Sequence, residues 1–380
     1  MSEAHDGLGN RISACAPETA AAIADFVGGF LNYEPRAVNV LKAAAADPGS
    51  ALANAYAGVL LMLGEGMEFP ARAREFLSRA EAAPAGDRRE AGATAMLKAW
   101  IDDDLPAALR IIEEVVADHP TDLALVKLHQ YMDLNRGDFP AMLRVVRQVE
   151  PHNPELPQLH AMKAFAYEQC HLLDKAEASG WRALEMKADE PWAQHALAHV
   201  MITQGRIDEG AQFMAAAAPG WAGLNSFMYT HNWWHLGLFY LSQGRGQAVL
   251  DIYDKHVWTQ DRTYSQDQIG AVALLARLEF AGVDVGERWR DLGDWLAVRA
   301  DDVVLPFLSI QYLLGLARAG RPEADALMAA IERRAGQAPA HERRAWAEAA
   351  LPAAQGILAF AREDYGRAAE RMGAALPRLV

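Results

Sequence analysis

Apolar residues recur three and four positions apart along almost the whole chain. Pro, Gly and Asp signals interrupt these runs at intervals of roughly a dozen residues. Alanine is abundant and β-branched runs are scarce, a balance that favours helix throughout. The pattern predicts helices over 17–30, 36–46, 50–63, 70–82, 87–101 and 105–117. Breaks fall at Asp47-Pro48-Gly49-Ser50, Gly64-Glu65-Gly66 and Asp118-His119-Pro120-Thr121. Further helices are predicted over 191–203, 226–242, 264–281, 285–299, 303–319, 322–335, 341–361 (with Pro352 as a break or kink) and 365–376.

A longer period lies over the short one. Asp118-His119-Pro120, His152-Asn153-Pro154 and Asp189-Glu190-Pro191 each open a helical run, with the prolines 34 and then 37 residues apart. Midway through the units stand the turn signals Gly137-Asp138, Leu173-Asp174, Gly205-Arg206 and Gly244-Arg245. A helix–turn–helix unit of about 34 residues has the tetratricopeptide period, and such units stack because none can bury its apolar face alone. The expected fold is therefore all-α: a tetratricopeptide-like α-α superhelix, a right-handed solenoid of helix–turn–helix repeats. Residues 1–16 read as a flexible N-terminus and 17–380 as a single repeat domain, since no low-complexity linker divides the chain.

The 380 residues carry a formal net charge of −14, which disfavours binding to nucleic acid. Two cysteines, Cys15 and Cys170, make neither a disulfide framework nor a thiolate zinc site. No apolar run reaches the roughly 18 residues of a membrane span, and Met1 to Asn10 shows no apolar segment of the signal-peptide kind. A soluble, cytoplasmic protein with no membrane partner is the expectation.

The candidate chemistry concentrates in 190–258. His195 and His199 in Pro191-Trp192-Ala193-Gln194-His195-Ala196-Leu197-Ala198-His199, and His231 and His235 in His231-Asn232-Trp233-Trp234-His235, are pairs at i and i+4. Each pair occupies one face of its helix. As first helices of consecutive repeats, the two helices would lie about 8–10 Å apart with the four imidazoles facing each other. Such a set could hold a divalent transition metal (zinc, iron or manganese) or move protons near neutral pH. The blander alternative is four satisfied core histidines, because an H-x₃-H pair arises by chance in a chain with 12 histidines. H-E-x-x-H is absent, so a zincin is excluded.

Trp192, Tyr229, Asn232, Trp234 and Asp267 are candidate ligand-binding residues around this pocket, with Trp221 and Trp258 as further walls. Asp254 and His256 are candidates for a general base, against the plainer account of a solvated helix end. Glu190 reads as a turn or cap residue. No Gly-rich phosphate loop or nucleophile elbow is present.

The strings Trp192-Ala193-Gln194-His195-Ala196-Leu197-Ala198-His199-Val200 and His231-Asn232-Trp233-Trp234-His235-Leu236 resemble the tetratricopeptide-repeat protein 38 family. So do Ala248-Val249-Leu250-Asp251-Ile252-Tyr253-Asp254-Lys255-His256 and Gly282-Val283-Asp284-Val285-Gly286-Glu287-Arg288-Trp289. The resemblance covers about 185–300 specifically. It implies an all-helical tetratricopeptide-like superhelix and no settled reaction. Two positions depart from the family pattern: Gly270 stands where members tend to have Asp, and Phe307-Leu308-Ser309-Ile310-Gln311 replaces an F-N-D-x-H string.

Three functions follow as expectations. The first is a His/Trp-lined concave pocket that binds a small molecule, extending to a metal-assisted hydrolase. The second is a scaffold that holds a peptide or protein partner in its groove. The third is a metal or haem protein without hydrolytic activity, haem being the lesser option. The alanine-rich ends would also allow a homodimer.

Overall fold

The computed structural model describes residues 4–13, 15–84 and 86–378. The described residues are overwhelmingly helical and fall into two compact units. The first comprises residues up to 64 and 68–239; the second comprises 65–67 and 240 onwards. No helix among them is long and apolar enough to cross a membrane.

The first unit opens with a β-hairpin, β1 (Ala4–His5) paired antiparallel with β2 (Arg11–Ile12). Its helices are α1 (Pro17–Asn32), α2 (Asn39–Ala46), α3 (Ala51–Met62), α4 (Phe69–Ala82), α5 (Arg88–Ile101), α6 (Leu105–Asp118) and α7 (Leu123–Arg136). They continue with α8 (Phe139–Val149), α9 (Pro157–Gln169), α10 (Leu173–Met186), α11 (Pro191–Thr203), α12 (Ile207–Ala217) and α13 (Ser226–Ser242), whose last residues from Tyr240 belong to the second unit. Consecutive helices pack as hairpins, α3 with α4, α5 with α6, α7 with α8 and α9 with α10, and first helices of successive hairpins also pack, α3 with α5 and α9 with α11. This is tetratricopeptide-type stacking, and α9 and α11 start 34 residues apart.

Sequence dictates the starts of these helices. Asp87, Asp104, Asp122 and Asp138 each accept a hydrogen bond from the backbone N–H three residues on, capping α5 to α8. Glycine permits the close approaches: a Cβ on Gly180 of α10 would lie 2.7 Å from Leu197 Cγ on α11, and one on Gly210 of α12 would lie 2.2 Å from the Phe239 ring. Side chains also tie one turn to the next. Asn153 donates to Pro120 O at 2.8 Å, and Gln130 donates to the Met142 and Met162 carbonyls.

The N-terminal stretch, expected to be loose, is ordered from residue 4 to 13. Asp6 and Asn10 are buried and bonded to each other, and Asn10 exchanges hydrogen bonds with Thr121. Arg89, 1% exposed, donates to Arg11 O at 2.6 Å and to Asp122 at 3.1 Å. The hairpin therefore supplies the acceptors that a buried guanidinium requires.

The second unit contains α14 (Gly246–Ile252), α15 (Ser265–Phe280), α16 (Arg288–Leu296), α17 (Pro306–Arg318), α18 (Glu323–Gln337), α19 (Leu351–Ala361) and α20 (Tyr365–Ala375). π-helical turns at Tyr253–Val257 and Arg344–Ala350 follow α14 and precede α19. Pro352, expected as a break or kink, directly follows the π-helical turn Arg344–Ala350, and the backbone stays helical from that turn into α19. Arg299 is buried and satisfied by Gln268, Asp302 and Thr263 O. Neither boundary between the two units carries a compositional linker.

Candidate metal centre

Two helix starts place the four imidazoles. Glu190 caps α11, its carboxylate accepting the Ala193 N–H at 2.5 Å, and Pro191 occupies the first turn. Asn225 plays the same part for α13, its side chain accepting the Met228 N–H at 3.0 Å. From these starts His195 and His199, and His231 and His235, fall on facing stripes.

The ring nitrogens converge. His195 Nε2 lies 3.0 Å from His231 Nε2 and 3.1 Å from His199 Nε2, and His235 Nε2 lies 3.2 Å from His231 Nε2. His195, His231 and His235 form a trio with ligand atoms all within 4.8 Å of one another, and His199 adjoins it through His195. His195 is 1% and His235 4% exposed, whereas His199 and His231 are half-buried.

Proton counting makes this arrangement unusual. A neutral imidazole nitrogen offers in its ring plane one hydrogen or one lone pair, never both. His195 Nε2 and His231 Nε2 each have two close nitrogen neighbours. Straight hydrogen bonds can serve the outer contacts, His199 with His195 and His231 with His235. The central 3.0 Å contact is then left unserved. A single cation receiving the lone pairs of His195, His231 and His235 would account for the central contact and for that of His231 with His235.

The surroundings disfavour charge on two of the imidazoles, His195 and His231. Burial, aided by His199, His235 and His231, holds His195 well below the usual histidine range. Burial, then His199, brings His231 down to about 3. Phe165, Trp192, Phe227 and Trp234 form aromatic walls. Trp192 stacks on His195 with centroids 4.3 Å apart, and Trp234 lies parallel to His231 at 5.7 Å. Tyr33, the left-handed residue ending α1, packs against Trp192 and Phe227 and accepts the Asn225 N–H through its carbonyl.

One carboxylate reaches the cluster. Glu168 Oε2 on α9 lies 3.3 Å from His199 Nδ1. A proton on His199 Nδ1 would face this carboxylate and leave the Nε2 lone pair toward His195. The sequence reading missed Glu168. It also missed Phe165, although aligning α9 on α11 at Pro157 and Pro191 puts Phe165 in the place of His199.

Two buried ionisable groups, Lys127 and Glu190, lie near enough to influence each other electrostatically. Lys127 on α7 donates to the Phe30 and Leu31 carbonyls at the end of α1 and sits 3.3 Å over the Tyr33 ring. Burial pulls its pKa well down, opposed by Glu190. Burial likewise pushes Glu190 up to about 7, opposed by the Ala193 N–H and by Lys127.

The other expected site residues are distributed differently. Tyr229 pairs with Trp233 on α13, and Asn232 is fully buried with neither amide atom hydrogen-bonded. Trp221 is buried and donates to Gln194. Asp254, His256, Trp258 and Asp267 belong to the second unit. There Arg288 grips Asp254 at two points, 2.8 and 2.5 Å, so its carboxylate is committed to an ion pair. His256 lies on the π-turn, its pKa lowered by burial and then by Lys255. Trp258 donates to Asp291, and Asp267 accepts the Asp261 N–H, which makes it a turn-stabilising residue. Gly270, on α15, has nothing within 4 Å of a built Cβ.

No family model matches the chain. Among solved structures it is similar to yeast Tom70, with 10% identity over 93% of this chain and 90% of that one and a TM-score of 0.45. It is similar also to the APC/C hetero-tetramer Cut9-Hcn1, with 12% identity over 94% of this chain and 72% of that one and a TM-score of 0.43. The human IFIT1 dimer with m7Gppp-AAAA gives 12%, 97%, 91% and 0.42. At these values the likeness carries no functional argument, and the assignment of the chain as an all-α, tetratricopeptide-like repeat protein rests on its own stacked hairpins.

Proposed function

We propose that the first unit is a metal-binding module in which His195, His231 and His235 hold one transition-metal ion, with His199 adjoining the trio through His195. The observation that carries this reading is the run of three ring-nitrogen contacts at 3.0–3.2 Å, which hydrogen bonds cannot all satisfy. An all-imidazole set suits zinc, copper, nickel or iron, and suits manganese, which favours oxygen ligands, less well. Haem falls out of the proposal, since imidazoles packed nitrogen to nitrogen leave no plane for a macrocycle. The chemistry such an ion supplies is Lewis-acid activation of water or of a substrate oxygen, and hydrolysis is the simplest reaction of that class.

The test is metal loading of the full chain. After chelation and dialysis, zinc or copper should bind at about one ion per chain, and His195→Ala or His231→Ala should abolish it. Equal binding by the parent and the variants would overturn the proposal.

A second reading, a scaffold for a peptide or protein partner, is favoured by large apolar side chains exposed on the second unit. Phe280, Val298, Phe307 and Tyr365 are each at least 60% exposed. Such a scaffold would keep its partner when all four histidines are replaced by alanine.

A further inference from the structure

This inference rests on the metal reading. The geometry points to a centre that is coordinatively open, and we propose that its ion takes up a small anion from solution, a carboxylate or oxyanion, on the side where His199 and His231 are half-buried.

Three observations carry it. The first is the ligand count. His195, His231 and His235 bring three ring nitrogens within 4.8 Å of one another, and His199 lies outside that trio. A transition metal held by three protein ligands keeps a fourth position for a molecule from solution.

The second observation is charge. The four side chains are neutral imidazoles, with no thiolate or carboxylate among them. The walls around them are the aromatic rings of Phe165, Trp192, Phe227 and Trp234. Among the described contacts to the four rings, Glu168 is the one carboxylate, and it touches the remote nitrogen of His199. A divalent ion here keeps most of its charge in a medium that solvates it poorly, and an anion at the ion removes that cost.

The third is access. His195 and His235 are buried behind the cluster, while His199 keeps a quarter of its side chain exposed and His231 is also half-buried. An incoming ligand reaches the ion past these two rings.

The experiment uses the full chain loaded with cobalt(II), whose visible spectrum reports coordination number. Loading is measured first. A visible spectrum saturating near one ion per chain, and missing in His231→Ala, establishes the ion; failure to load overturns both the metal reading and the inference. Azide and then acetate are titrated into the loaded protein. The expected result is a saturable change in band position and intensity for each anion. The anions should bind several-fold more tightly in Glu168→Gln, where the nearby negative charge is gone. A loaded protein whose spectrum ignores both anions is a closed four-imidazole centre, which overturns the inference and leaves the metal reading standing. Equal anion affinity in the parent and in Glu168→Gln would remove the charge argument and overturn it also.

Discussion

Glu190 shows how a single side chain ties α11 to the pH. Its carboxyl is fully buried and pushed up to about 7 from an ordinary 4.5. The folded chain therefore binds a proton that the unfolded chain releases between those values. Stability from this group is complete below pH 4.5 and is lost as the pH rises through 7, a difference of roughly 3 kcal/mol. Glu190→Gln can still cap α11 through its carbonyl oxygen but has no charge to bury. Its melting temperature should exceed the parent's by more at pH 8 than at pH 5 in thermal melts followed by circular dichroism. The same offset at both pH values would sink the argument. At this scale the sequence showed the four histidines, because i and i+4 spacing is visible in a string. It did not show Glu168 against His199 or Lys127 against the end of α1. Those contacts join helices two or more elements apart, and no local period encodes them.

Helices compose the second scale, and their fit depends on small residues. Gly180 of α10 faces Leu197, two positions beyond His195 on α11. Gly180→Ala should cost about 1–3 kcal/mol, since the Leu197 Cγ would lie 2.7 Å from the new methyl and α11 must shift. The shift should also weaken metal binding, read by competition with a chelator; unaltered affinity would mean that α11 is held from its other sides. Gly270 is the converse case. Nothing lies within 4 Å, so Gly270→Ala in mid-helix should stabilise by up to about 1 kcal/mol in denaturant melts. Helix positions were legible because apolar period, caps and prolines agree: 226–242 and 191–203 are the ranges of α13 and α11. The β-hairpin was not, for a ladder of two residues has no alternation to detect and its partners, Arg89 and Thr121, are remote in sequence.

On the scale of the whole chain, the ligand set belongs entirely to the first unit. Saturating zinc should therefore slow amide exchange in α9, α11 and the first-unit part of α13, and leave α16 to α20 unchanged. Equal slowing in both units would show that the ion acts through something other than these helices. The division after Phe239 was invisible in the sequence because it falls inside a helix, where neither composition nor turn residues change. Domain boundaries usually announce themselves through linkers, and this one has none.

The four histidines come from two short stretches, each a pair one turn apart on a single helix. One stretch contributes half of the cluster, so two local patterns encode the whole set. The same economy makes the centre portable: two His-x₃-His helices, a flanking tryptophan on each and one glutamate from the preceding hairpin are the parts to graft onto an idealised helical-repeat scaffold.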